Sequence, residues 1–141
     1  MTTENLPTES STCSKANCPL GNEPGQKSCI LHLEKDGKTQ EDMQRAINGL
    51  EKFNQKKIEG AYLRKADFSY LNIKEKNFQN SDLTGACFKN ARLFKVGFDF
   101  SSLDDVNFEN VIFERVDLRR IASGKNILFY HAIFAPTLMP P

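Results

Sequence analysis

Lys65-Ala66-Asp67-Phe68-Ser69, Asn80-Ser81-Asp82-Leu83-Thr84 and Gly85-Ala86-Cys87-Phe88-Lys89 are three samples of one pattern that runs from Ile58 to Ile121. An apolar residue falls on every fifth position: Leu63, Phe68, Ile73, Phe78, Leu83, Phe88, Leu93, Phe98, Leu103, Phe108, Phe113 and Leu118. Two residues before each stands a small or aliphatic residue, from Ala61 and Ala66 to Val111 and Val116, with Lys76 as the exception. The residues between these pairs are mostly polar. A helix gathers side chains on one face at a period of 3.6 and a strand at a period of 2, so neither template aligns twelve positions spaced by five. A short unit repeated at a fixed period indicates a solenoid, in which stacked neighbours share one core. Within a unit the pair two apart points inward and the residue between them points out, as in a half-buried strand.

The segments quoted above resemble the pentapeptide repeat family. The resemblance covers about half the chain. It implies an all-β solenoid, a right-handed four-sided β-helix with four pentapeptides per turn. With twelve units, and a fourth irregular turn after them, the array reads as about three to four turns. Residues twenty apart should then stack. The columns become Leu63/Leu83/Leu103, Phe68/Phe88/Phe108, Ile73/Leu93/Phe113 and Phe78/Phe98/Leu118, two uniform and two nearly so. Phenylalanines stacked at a strand spacing of about 4.8 Å permit offset ring packing.

The chain has 141 residues, a formal charge of +1 and 26% charged residues. From Ile58 to Ile121 ten basic residues balance ten acidic ones, so net charge points to neither nucleic acid nor an anionic membrane. No apolar run approaches the ~20 residues of a membrane span, and the first twenty residues lack a signal-peptide core. These features predict a cytoplasmic protein.

Ahead of the array the reading has three parts. Residues 1–12 are rich in Thr, Ser, Glu and Pro and read as a disordered tail. Residues 13–38 hold Cys13-x4-Cys18-x10-Cys29-x2-His32, with Pro19, Gly21, Pro24 and Gly25 supplying turns. A tetrahedral zinc site needs four soft or borderline ligands from two short knuckles, and this spacing falls in that range. The reading is a structural zinc knuckle formed by Cys13, Cys18, Cys29 and His32. A disulfide and free thiols are the alternatives, the first disfavoured without a secretion signal. Four protein ligands leave no open position for catalysis. Such leaders resemble those ahead of some bacterial pentapeptide arrays. Residues 30–35 alternate weakly and suggest a short strand. Residues 39–57 form the third part. Thr39 is the expected N-cap of a helix over 40 to 56, with Gln40, Glu41 and Asp42 in its first turn. Met43, Ala46, Ile47, Leu50 and Phe53 lie on its apolar face, and Glu41–Arg45 is an i,i+4 pair. The use expected for this face is to cover the open N-terminal end of the β-helix.

Departures from the pattern carry the remaining expectations. Lys76 stands at an inward position in the first turn. It is expected to reach past the end of the stack or to pair with Asp42 or Glu51 of the helix. Cys87 reads as an ordinary surface thiol. Phe94, Phe100 and Ile112 fall at outward positions, the first and last on one face in adjacent turns. They are the candidate partner surface, burial under the leader or a loop being the alternative. In residues 122–141, Ile127/Phe129 and Ala132/Phe134 rejoin the pattern if one residue is inserted near Ser123-Gly124. Phe129 then extends the Phe68 column, and Gly124 is expected to supply the backbone freedom of a bulge. His131 reads as structural or incidental. The edge of that fourth turn suggests a twofold dimer through Tyr130, Phe134 and Leu138. Blunting by Pro136, Pro140 and Pro141 is the competing expectation.

No phosphate-binding loop, nucleophile–base arrangement or separated carboxylate pair is present in the sequence, which disfavours an enzyme. The leading reading is a protein-interaction or scaffold module with an unidentified protein partner. The resemblance also implies an alternative, since some pentapeptide proteins mimic duplex DNA and act on DNA gyrase. The neutral array, with Arg and Lys on several faces, speaks against it. Nucleic-acid binding through the zinc leader and the basic helix end is a third class.

Overall fold

The computed structural model describes residues 12–137. Its geometry follows from the corners. From Lys65 to Arg115 every fifth residue has a positive φ, between 52° at Glu75 and Asn80 and 73° at Gly85. That left-handed conformation costs about 1–2 kcal/mol for a residue with a Cβ, so it persists only where surrounding contacts hold it. Here it turns the chain by a corner once per unit. Three-residue straight segments lie between the corners, with the middle side chain buried.

The segments pair in parallel with those twenty residues on. Strand β1 (Lys57–Glu59) pairs with β3 (Asn77–Gln79), Ile58 facing Phe78. On another side β2 (Asn72–Lys74), β4 (Arg92–Phe94), β5 (Ile112–Glu114) and β6 (Ile133–Phe134) form a four-stranded sheet in that order. The two remaining sides are held by single bridges, Tyr62–Asp82–Ser102 and Asp67–Cys87–Asn107. Twenty residues per turn, divided by corners at every fifth, give four sides. The result is a β-helix of short parallel strands with no closed sheet.

The expected columns form the core. Phe68 and Phe88 stack with centroids 4.6 Å apart and planes 2° from parallel, and Phe78 and Phe98 stack at 5.4 Å. Rings of adjacent columns meet edge to face, as Phe68 and Phe78 do at 5.8 Å. Both arrangements suit the ring quadrupole. The two inward serines are satisfied along the stack: Ala61 N–H donates to Ser81 Oγ, and Ser81 N–H to Ser101 Oγ.

The register changes once. Gly97 pairs with Asp117, twenty residues on, but Ser102 pairs with Ser123, Asn107 with Leu128 and Phe113 with Phe134, twenty-one on. The extra residue therefore lies between Asp117 and Ser123, just before Gly124, and no residue from 116 to 125 has a positive φ. Gly124 thus supplies no left-handed bulge, contrary to expectation. By register it stands in the column of Leu63, Leu83 and Leu103. A Cβ there would lie 2.8 Å from Ile121 Cδ1 and 2.9 Å from Ile127 Cδ1, so the glycine makes room for two neighbouring isoleucines. Beyond it Phe129 stacks on Phe108 at 5.6 Å and Phe134 on Phe113 at 4.8 Å, which completes the expected fourth turn.

Helix α1 (Gln40–Lys52) begins with a capping box. Thr39 Oγ1 accepts from Asp42 N–H, and Asp42 accepts from Thr39 N–H. Met43, Ala46, Ile47 and Leu50 are buried in the same apolar cluster as Ile58, Ala61 and Leu63. The helix ends four residues earlier than expected. Phe53 is its C-cap, Asn54 takes a positive φ, and Lys56 O is engaged by Asn77 N–H. Phe53 is therefore 60% exposed rather than part of the apolar face. Arg45 pairs with Glu23 at 2.9 Å and Asp42 at 3.2 Å instead of Glu41.

Among the described residues no coil precedes the first turn, and other groups take up its hydrogen bonds. In the interior, Asp82 N–H donates to Ala61 O and Cys87 N–H to Ala66 O. Their first-turn equivalents, Tyr62 N–H and Asp67 N–H, donate to Leu31 O and Lys38 O, each at 2.9 Å. Arg64 O accepts from Gly37 N–H. Tyr62 O, Ser69 O and Lys74 O accept from the side chains of Lys38, Gln40 and Lys76. Lys76 does not reach past the stack. It is 3% exposed and paired with Glu51 of α1, the alternative expected for it.

Candidate metal centre

Cys13, Cys18, Cys29 and His32 converge on the flank of the first turn. Their ligand atoms all lie within 4.8 Å of one another. His32 Nδ1 stands 3.3 Å from both Cys13 Sγ and Cys29 Sγ, and Cys18 Sγ is 3.7 Å from Cys29 Sγ. Local turns bring them together. Cys13 N–H bonds Leu20 O, Thr12 bridges Gly21, and Cys18 N–H bonds Lys15 O. Residues 30–35 are not the expected strand. His32 N–H and Leu33 N–H both bond Cys29 O, a helical turn that brings the side chains of Cys29 and His32 to one side. An alternating strand would not place residues three apart together.

The histidine is oriented from outside the cluster. Its Nε2 lies 2.8 Å from Glu59 O in β1. A proton on Nε2 donates to that carbonyl and leaves Nδ1, which faces the sulfurs, as a lone pair. Metal-binding histidines are commonly fixed through the second ring nitrogen in this way. Cys13 and Cys29 are buried and Cys18 is half-buried; none is in a disulfide. The hydrogen bond between Cys18 and Cys29 pushes Cys29 up to about 12, with burial adding to it, and lowers Cys18. Four donors at these separations can hold a metal ion.

Beside the cluster lies a group the sequence reading missed. Lys38 is 1% exposed. Its ammonium donates to Leu31 O at 3.3 Å and to Tyr62 O, and it sits 5.7 Å from the Tyr62 ring centroid. Burial lowers its pKa to about 8, against the opposing charge influences of Cys29 and Asp42. No local pattern marks this lysine, because it lies between the leader and the helix.

The other candidate residues are spread over the array. Phe94 and Ile112 are partly buried on the outer face of β4 and β5, where Phe94 lies opposite Glu114 and Ile112 opposite Arg92. Lys95 and Arg115 approach the Phe94 ring at 5.3 and 5.9 Å. Phe100 occupies a corner with φ 59° and is exposed. On the last turn Tyr130 is 64% and Phe134 43% exposed, and Leu128 and Ile133 are exposed beside them. Leu138 falls outside the described residues, as do residues 1–11, Pro140 and Pro141. Cys87 is a half-buried free thiol on an outer face, and His131 stacks on Tyr130 at 4.0 Å. Among the described residues no helix is long and apolar enough to cross a membrane.

Comparison with known proteins places the array. Residues 59–96 match the pattern of pentapeptide repeats in eight copies. No curated protein matches the chain. Among solved structures, the chain is similar to HetL, a pentapeptide repeat protein involved in heterocyst differentiation regulation from the cyanobacterium Nostoc sp. strain PCC 7120. Sequence identity is 20% and the TM-score 0.46, over 61% of this chain and 41% of that one.

Proposed function

Because this array is built of pentapeptide repeats, a family that folds as a right-handed β-helix, we propose that the protein is a non-enzymatic interaction module with one end of its solenoid closed and the other available for contact. The carrying observation is the difference between those ends. At the first turn the leader and α1 supply backbone and side-chain hydrogen bonds in place of a preceding coil. At the last turn Leu128, Tyr130, Ile133 and Phe134 are exposed together, and β6 is an edge strand. An apolar strand edge is a template for pairing. The economical occupant is a second copy, joined end to end about a twofold axis, with Tyr130 and Phe134 in the contact and Leu138 following them in the chain. Light scattering at tens of micromolar tests this. A dimer converted to monomer by Phe134→Asp is expected. A monomer unaffected by that change leaves a proline-blunted end as the better account.

In this reading the leader is a structural zinc knuckle and α1 is the N-terminal cap. Thiolate and imidazole donors suit zinc, and zinc would bond Cys13, Cys18, Cys29 and His32, tying the leader to β1 through His32 and Glu59. Metal analysis of the reduced protein should find about one zinc ion, lost in Cys29→Ser; zinc-free protein overturns the knuckle. The lateral face of Phe94 and Ile112, with Phe100 at the next corner, is the surface proposed for a cytoplasmic protein partner. A partner retained by the wild type and released by Phe94→Ser/Ile112→Ser would identify it.

A further inference from the structure

We propose that Lys38 is the built-in counter-charge of the metal centre, so that the Cys13/Cys18/Cys29/His32 cluster binds a divalent ion tightly only with the Lys38 ammonium behind it. The inference rests on the metal-binding reading above and assigns a positioning role to a residue outside the ligand set.

A divalent ion held by three thiolates and a neutral imidazole displaces three thiol protons and leaves the centre with one net negative charge. Cys29 is fully buried and Cys13 nearly so. A buried net charge is costly unless compensated. Lys38 has the complementary problem. It is a buried ammonium whose observed hydrogen-bond partners are two carbonyls. The nearby carboxylates act on it through charge without hydrogen-bonding to it: Asp36 accepts from the Tyr62 hydroxyl at 2.7 Å, and Asp42 holds Thr39 and Arg45. One of the carbonyls, Leu31 O, belongs to the turn that carries Cys29 and His32, so the ammonium is fixed against the ligand-bearing backbone. The two charges are opposite in sign, and the ammonium, Cys13 and Cys29 are all buried. The same ammonium bonds Tyr62 O of the first turn, which links metal affinity to seating of the leader on the array.

The test is zinc affinity, measured by competition with a chromophoric chelator, for the full-length wild type and Lys38→Gln. Glutamine keeps amide donors for the carbonyls and removes the charge. A loss of about ten- to a hundredfold is expected, the range for groups just outside a metal's ligand shell. Unchanged affinity overturns the counter-charge while leaving the metal site standing; a wild type that binds no zinc overturns both. Cys13→His, whose centre would carry no net charge, separates charge from packing. In that background Lys38→Gln should cost no more than about twofold, the tolerance of the additivity test, and an undiminished loss overturns the proposal. If Cys13→His binds no zinc, Lys38→Arg serves instead: it must hold affinity closer to wild type than Lys38→Gln, and an equal loss overturns the proposal.

Discussion

The first and last turns of this solenoid are made from the same repeat and finished in different ways. The first is met by a leader and a helix that stand in for a preceding coil with Leu31 O, Lys38 O, Gly37 N–H and the side chains of Lys38 and Gln40, while Lys76 of the array itself serves Lys74 O. The last is entered through an extra residue and a side-chain-free position at Gly124, and it leaves Tyr130, Ile133 and Phe134 exposed. A repeat satisfies its own interior, because each turn pairs with identical neighbours. It has no internal answer for its ends. Non-repetitive sequence on the N-terminal side supplies hydrogen-bond partners to the first turn, from backbone groups and from the side chains of Lys38 and Gln40.

The largest test of this contrast is deletion. Removing residues 1–57 strips every substitute bond from the first turn except the one from Lys76, and exposes the core beneath α1. Aggregation or loss of cooperative unfolding is expected. A soluble, monomeric 58–141 with wild-type stability would break the contrast. Next comes the core itself. Phe88 is fully buried between Phe68 and Phe108, so Phe88→Ala should cost about 3–5 kcal/mol in denaturant unfolding. Phe134→Ala, at a ring 43% exposed, should cost less than half as much in the monomer. Equal losses would mean that the last turn is covered as well as the interior.

A smaller effect is expected at the seam. Glu51→Gln leaves the Lys76 ammonium without its carboxylate. Because Glu51 is largely exposed, solvent offsets part of the loss, and about 1–2 kcal/mol is expected by chemical denaturation, near the lower range for hydrogen bonds to charged groups. The smallest effect is local. Asp104 accepts from Lys125 N–H at 2.8 Å and Ser123 Oγ–H at 2.5 Å, pinning the chain just past the extra residue. These bonds hold its carboxyl below the usual aspartate range. Its contribution is therefore complete above the unfolded aspartate value and disappears as pH falls through the depressed folded one. The protection factor of the Lys125 amide, its exchange relative to the unfolded chain at the same pH, should fall on acidification, with those of interior amides unaffected, and should already be low in Asp104→Asn. A uniform fall in protection along the array would contradict a specific pin.

The amino-acid sequence by itself determined the array. Twelve units at a fixed period carry their own inward pairs and corners, and the phenylalanine columns follow from stacking residues twenty apart. The N-cap at Thr39, the fourth turn and the identity of the Cys/His group were equally local. Each is a pattern within a few residues or one repeat. Tertiary structure decided the rest, because it depends on which elements meet. Lys38 is buried only because the leader, α1 and Tyr62 close around it. The turn at 29–33 wins over an alternating strand where Cys29 and His32 come together. Phe53 is left outside because Lys56 and Lys57 must reach Asn77. Gly124 serves space rather than backbone freedom because Ile121 and Ile127 converge there. These outcomes arise from contacts between separate segments, whose packing and hydrogen bonding override local periodicity.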